Sequence, residues 1–229
     1  MISPTLGNSE ASQNRTMPTS HPYQLNEIVE LILLANPKTM LDVGVGFGKY
    51  GFLAREYLEL WDGREKYDEW TRRIDGVEAF PKYLTPIHRF VYNQIYVGNA
   101  VDVLPTLEIR YDLLTAIDVL EHFDYESGLL FLNSCCARAR TIIISTPKDI
   151  GDQKDAFGSS YETHRFQWKP EHLKQFKDAF FIPEETSFIA CFGEDAARIR
   201  ASLRYSRLIP RLKRCFPLLA RLARTIKGR

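Results

Sequence analysis

The stretch LDVGVGFGKYG, residues 41–51, decides how the chain is organised. An apolar run ends at Val43, three glycines follow at alternate positions, Gly44, Gly46 and Gly48, and a helix-compatible segment begins near Tyr50. Glycine tolerates the left-handed backbone of a tight turn and leaves bare amides beside a helix N-terminus that a ligand can approach. The dinucleotide-binding spacing is G-x-G-x-x-G. Counted from Gly44, its third glycine falls on Lys49, so the spacing here is G-x-G-x-G instead.

On either side of this stretch, short apolar runs alternate with helical segments. Residues 39–43, 73–78, 94–97, 111–118 and 141–145 read as buried strands. Helices fit between them near 50–60, 83–90, 101–104 and 125–139. Upstream, Leu25, Ile28, Val29, Ile32 and Leu33 recur at helical spacing until Asn36 and Pro37 end the pattern. Strands alternating with helices imply parallel pairing through crossover helices, hence an α/β doubly wound sheet. After the fifth strand comes a polar, irregular stretch from Pro147 to Trp168, and then a helix near 170–179. Two further strands, near 187–192 and 196–201, flank a turn at 193–195 and predict an antiparallel hairpin at the sheet edge.

A chain of 229 residues that is 45% hydrophobic and 26% charged has the make-up of a globular domain and excludes a fibrous or membrane-spanning class. The first twenty residues lack a basic start followed by an apolar run, so a cytoplasmic location is expected. Cys135, Cys136, Cys191 and Cys215 show no zinc or disulfide spacing and read as reduced thiols. The expected organisation is a mobile, polar arm over residues 1–20, one domain over 21–202 and a basic tail over 203–229. That tail holds nine Lys or Arg and no acid.

The D-x-G-x-G-x-G arrangement, with Asp42 at the strand end, resembles the first motif of class I S-adenosylmethionine-dependent methyltransferases. The later strand ends strengthen the likeness, because ligands in open α/β sheets lie beyond the carboxyl ends of the strands. Glu78 closes the second, where the family's acidic residue holds the ribose diol. Asn99 and Ala100 follow the third, where the family grips adenine, and Asp118 ends the fourth. The resemblance covers roughly residues 23–200. It implies a Rossmann-like sheet of about seven strands, mostly parallel with an antiparallel edge hairpin. It also implies S-adenosylmethionine as cofactor, bound by Asp42, Gly44, Gly46, Gly48, Glu78, Asn99, Ala100 and Asp118. Glu78 lies 36 positions beyond Asp42 rather than about 20, and a charged, aromatic insertion over 61–70 accounts for the excess.

Methyl transfer to a hydroxyl needs in-line positioning and removal of a proton, a task that suits histidine near neutral pH. Of the five histidines, His21 lies in the arm, while His88 and His172 fall on helices where packing or solvation is the expected role. His122 and His164 follow strand ends and are the candidate catalytic residues. The set Asp118, Glu121, His122 and distal His164 is also similar to the ligands of some metal-dependent O-methyltransferases, among them small-RNA terminal and ubiquinone-pathway enzymes. The resemblance therefore implies a possible divalent metal on these four residues. The loop GSSYETHRFQW resembles an active-site cover, with Tyr161, Arg165 and Trp168 as acceptor contacts.

The expected acceptor is a small molecule, a glycan or a lipid-linked compound. From Leu208 onward, apolar residues and Arg or Lys segregate as on a cationic amphipathic helix interrupted at Pro217. Such a helix suits peripheral contact with the inner membrane face or a protein partner. Nucleic acid fits less well, because few aromatics interleave with the charge. The competing classes are a noncatalytic S-adenosylmethionine-binding scaffold recruited by the tail, and a nucleotide-dependent oxidoreductase, which the glycine spacing disfavours.

Overall fold

A computed structural model describes residues 19–60, 66, 69–155 and 158–215. The arm up to residue 18, most of the 61–70 insertion and the tail beyond Cys215 lie outside the described residues.

Helix α1 (Leu25–Ala35) stops where Asn36 turns left-handed, φ 48°, with Pro37 behind it. Strand β1 (Thr39–Val43) is buried from Met40 on, because it lies in the sheet centre with helices on both faces. After it come α2 (Lys49–Glu59), β2 (Arg73–Glu78), α3 (Pro86–Val91), β3 (Gln94–Val97), α4 (Ala100–Val103), β4 (Tyr111–Ile117), α5 (Tyr125–Arg138) and β5 (Ala139–Pro147). The chain then forms α6 (Pro170–Leu173), β6 (Phe180–Pro183), β7 (Ser187–Gly193) and α7 (Ala196–Cys215).

The seven strands stand in the order β3-β2-β1-β4-β5-β7-β6, with β7 antiparallel to both neighbours and every other pairing parallel. The expected doubly wound, mostly parallel sheet with an antiparallel edge is therefore present. Alternation along the strands divides the core. Leu113 faces a cluster with Ile28, Ile32, Ala54, Val91 and Ile199, and Leu114 faces one with Leu104, Phe131, Cys135 and Trp168. Helices α1, α2, α3 and α7 thus cover one face, and α4, α5 and α6 the other. Strand order reverses between β1 and β4, so a crevice opens at their carboxyl ends.

The end of the chain differs from the sequence reading. The hairpin pairs Phe180–Pro183 with Ser187–Gly193 around residues 184–186, and the expected strand at 196–201 is the start of α7. Ala196, Ala197 and Ala201 are strong helix formers. Ala196, Ile199 and Leu203 also share one helical face, which is buried against α1. The expected helix near 170–179 ends at Leu173, since Phe180 and Ile182 gain more by joining the sheet edge, where Pro183 terminates the strand.

Helix α7 runs through residue 203 without a break and docks on α1 by charge as well as by apolar contact. Arg207 pairs with both Glu27 and Glu30, 2.9 Å from the Glu30 carboxylate, and the Ser206 hydroxyl donates to Glu30 at 2.7 Å. Among the described residues, no helix is long and apolar enough to cross a membrane. Cys135 and Cys191 are buried free thiols, and Cys136 is a partly buried one.

Candidate active site

The three glycines after β1 all lie in the left-handed region, with φ 72°, 50° and 89° at Gly44, Gly46 and Gly48. At Gly44 a side chain is also excluded by space, because a Cβ there would come within 2.5 Å of Val119 Cγ2. The loop is held from several sides. Gly44 N donates to Val77 O at 2.9 Å, and Gly46 N donates to Glu78 Oε2 at 3.0 Å. The His88 ring bonds the Gly46 carbonyl at 2.8 Å. Since His88 Nδ1 accepts the Thr85 amide proton, its Nε2 carries the hydrogen and donates to that carbonyl. His88 is thus a buried loop anchor, a role that its place on a helix did not announce.

Beneath the loop, buried Asp42 accepts from Tyr92 Oη at 2.7 Å and from Thr115 Oγ1 at 2.8 Å. Burial pushes its carboxyl up to about 6, against the lowering effect of those two hydroxyls. Glu78 closes β2 and is 5% exposed. Its Oε1 accepts from Phe80 N at 2.8 Å while Oε2 holds the loop, and burial raises its pKa against these bonds.

A cleft of about 780 Å³ opens above the carboxyl ends of the strands. Its size suits a nucleoside-type cofactor with an acceptor beside it. Gly44, Gly46, Glu78, Asn99, Ala100 and Asp118 line it, as do Glu121, His122 and His164. Asp42 and Gly48 do not. The first is buried at the end of β1 with its carboxylate bonded to Tyr92 and Thr115, and the second caps α2 against His88 and Tyr92. Tyr161 and Arg165 line the cleft, whereas Trp168 is wholly buried in the core against Gly128 and takes no part in it.

Asp118 follows β4 in a left-handed conformation, φ 54°. Its Oδ2 accepts from Gln24 Nε2 at 2.6 Å, and its Oδ1 accepts from Ser145 Oγ at 2.6 Å. Gln24 in turn accepts from Ser187 Oγ at 3.0 Å. Burial raises the Asp118 pKa, while these bonds and the nearby Lys49 ammonium oppose the rise.

Farther along the cleft, Glu121, His122 and His164 each present one ligand atom within 4.8 Å of the others. The loop after β5 is fastened there by its backbone, with Arg165 N donating to Glu121 O at 2.8 Å. His122 Nδ1 lies 3.3 Å from Thr163 O, and His164 Nδ1 bonds Ile150 O. A carbonyl accepts only from an N–H, so each ring keeps its lone pair on Nε2. Burial and the neighbouring His164 lower the His122 pKa to about 4, so its ring is neutral at physiological pH. Glu121 is 1% exposed, and its Oε2 has no hydrogen-bond partner. Burial and the charge of Asp118 drive its pKa well above the ordinary carboxylate range. Asp118 is not part of this three-residue group.

No protein-family model matches the chain, and no curated protein matches its sequence. Solved structures do resemble it. The methyltransferase domain of bacterial CtHen1 covers 75% of this chain and 97% of its own length, with a TM-score of 0.51 at 19% identity. The fold is that of the class I methyltransferases. The DhpI–SAH complex covers 74% of this chain and 85% of its own, with a TM-score of 0.53 at 13% identity. An O-methyltransferase family protein from Burkholderia thailandensis covers 73% and 55%, with a TM-score of 0.51 at 12% identity. The class I fold puts the glycine loop, Glu78 and Asn99 at neighbouring strand ends along one cleft, as the order β3-β2-β1-β4 requires.

Proposed function

We propose that this protein is an S-adenosylmethionine-dependent methyltransferase that modifies a hydroxyl oxygen presented at a divalent metal. The cofactor reading is supported by the loop amides around Gly44 and Gly46, by Glu78 and by Asn99, all on one cleft. The Glu78 carboxylate accepts backbone protons from Gly46 and Phe80 and faces the cleft, where it could accept from a ribose diol. Asn99, whose side chain caps α4 by accepting from Val101 N, and Ala100 line the same cleft and are the residues we assign to the adenine.

The observation that carries the metal is the buried Glu121 oxygen without a partner, set beside two imidazoles whose Nδ1 protons are already committed to carbonyls. Two neutral imidazole nitrogens and one carboxylate form a donor set for a divalent first-row ion, with outer carbonyls fixing the tautomers. Glu121, His122 and His164 would hold the ion. When bound, it would orient the acceptor oxygen and ease loss of its proton. An imidazole with a pKa near 4 is too weak to take a hydroxyl proton unaided, so the histidines serve better as ligands than as general bases.

We take the acceptor to be a small molecule, glycan or lipid-linked compound with a hydroxyl beside a second oxygen, since two such oxygens could share the ion. The test is methyl transfer from labelled S-adenosylmethionine to a panel of phenols, catechols and glycosides, with manganese or with chelator. Ether formation that needs manganese and is lost in Glu121→Ala supports the reading. Transfer indifferent to both contradicts the metal, and purified protein that forms no ether with any acceptor contradicts the activity.

A further inference from the structure

Helix α7 carries the basic end of the chain toward the mouth of the cleft. It begins just after Gly193, at the end of the sheet away from the cleft, because β7 runs antiparallel to β5. It then climbs along α1 in the opposite direction, with Arg198 donating to Leu34 O at 3.1 Å and Arg207 pairing with Glu27 and Glu30. Gln24, one position before α1, bonds Asp118 at the cleft wall. At a rise of about 1.5 Å per residue, α7 draws level with Gln24 about three residues beyond Arg207, and it continues to Cys215. The sequence after Leu208 holds seven Lys or Arg and no acid.

The two faces of α7 differ in what they meet. Ala196, Ile199 and Leu203 are buried in the core beside α1, and Ser206 and Arg207 are tied to Glu30. On the opposite face Arg200, Arg204, Tyr205 and Leu208 fall within about half a turn of one another and are exposed, Tyr205 by 67% and Leu208 by 52%. Among the described residues neither Arg200 nor Arg204 has an ion pair. One acid, Asp178, shares a shallow hollow with them and bonds to neither. The domain thus neutralises Arg207 and leaves the other two guanidinium groups facing solvent. Cations interleaved with a phenol and a leucine, in a segment with no acid from residue 196 to 229, are complementary to a surface that offers phosphates above an apolar layer. Nucleic acid offers phosphates without that layer, and the single aromatic Tyr205 gives bases little to stack on.

We infer that the outward face of α7, together with the basic segment after it, docks on an anionic lipid bilayer and brings the cleft mouth close to that surface. Arg200 and Arg204 meet headgroup phosphates, while Tyr205 and Leu208 enter the interfacial layer. The docking itself depends on neither the cofactor nor the metal proposed above. For the acceptor it favours the lipid-linked class, a consequence that rests on the methyltransferase reading.

The test is co-sedimentation of the full chain with vesicles of phosphatidylcholine alone or mixed with phosphatidylglycerol, read without turnover so that it stands apart from any result on methyl transfer. Wild type should bind the mixed vesicles, and high salt should weaken that binding. The pair Arg200→Gln and Arg204→Gln should weaken it by roughly ten- to thirtyfold, at about fivefold for each charge near the surface. The pair Tyr205→Ser and Leu208→Ser should weaken it by at least roughly tenfold while leaving two cations in place. All four side chains are exposed, so both variants should melt with wild type, which separates lost docking from lost folding. No binding to mixed vesicles, or binding that survives both pairs, overturns the inference. So does binding to a single-stranded RNA oligonucleotide as tight as to mixed vesicles, which would make the face a general polyanion site.

Discussion

Asp42 gives a stability prediction whose magnitude follows from its surroundings. Its carboxyl is buried beneath the glycine loop and raised from 3.8 to about 6 in the folded protein. A group with a raised folded pKa binds protons more tightly folded than unfolded. Its contribution is therefore fully present below pH 3.8 and is lost as pH rises through about 6. The difference of about two pKa steps corresponds to about 3 kcal/mol across that window. Asn cannot titrate, so Asp42→Asn should lack this component. Its rearranged bonds to Tyr92 and Thr115 add an offset that does not change with pH. Urea unfolding of both proteins at intervals from pH 4 to pH 7.5 would isolate the difference. The variant should gain on wild type by about 2–3 kcal/mol as pH rises, with most of the gain below pH 6.5. Parallel stability curves for the two proteins would refute the assignment of a buried, proton-linked carboxylate beneath the loop.

Gly44→Ala combines a φ of 72° with a Cβ 2.5 Å from Val119, and should lower stability by roughly 2–3 kcal/mol in thermal or urea unfolding. An unchanged midpoint would show that the loop can relax. Glu121→Gln and His164→Ala should each weaken manganese binding by at least roughly tenfold in a titration followed by electron paramagnetic resonance. Asp118→Asn, outside the three-residue group, should leave it unchanged, and a loss confined to Asp118→Asn would move the metal elsewhere. Arg207→Ala removes contacts to Glu27 and Glu30. Because these groups are partly exposed, the cost should be on the order of 1 kcal/mol and shrink in high salt, and insensitivity to salt would point to packing instead.

The parts of the fold that were legible in the sequence are those with local causes. Five strands and the glycine turn follow from short apolar runs and from residues that permit positive φ. The C-terminal hairpin lies elsewhere than its sequence suggests because FFIP and AARIRASL each suit more than one element. The choice was made by the space at the sheet edge and on α1, which no local window contains. The candidate site divides in the same way. Glu78, Asn99 and Asp118 stand at strand ends, and topology alone brings them to one cleft. Asp42 and Gly48 belong to the same motif yet are buried away from the cleft, a distinction made by burial rather than spacing. Gln24 reaches Asp118 across 94 positions, and His88 reaches Gly46 across 42. Such partners have no sequence signal short of the tertiary structure. Trp168 has a place in a polar loop that suggests an acceptor contact, but a large indole gains more from full burial beside Gly128.

The most direct test of the cofactor site is isothermal titration of S-adenosylhomocysteine into wild type, Gly46→Arg and Glu78→Ala. Gly46 lines the cleft, and a Cβ there meets nothing closer than 3.9 Å, so the arginine can project into the cavity with only the backbone strain of φ 50°. Glu78→Ala removes the carboxylate proposed to accept from the ribose diol together with the anchor of Gly46 N. Micromolar binding by wild type that is lost in both folded variants is the predicted result. Absence of binding by folded wild type, or binding that survives both substitutions, would contradict a cofactor site at the glycine loop.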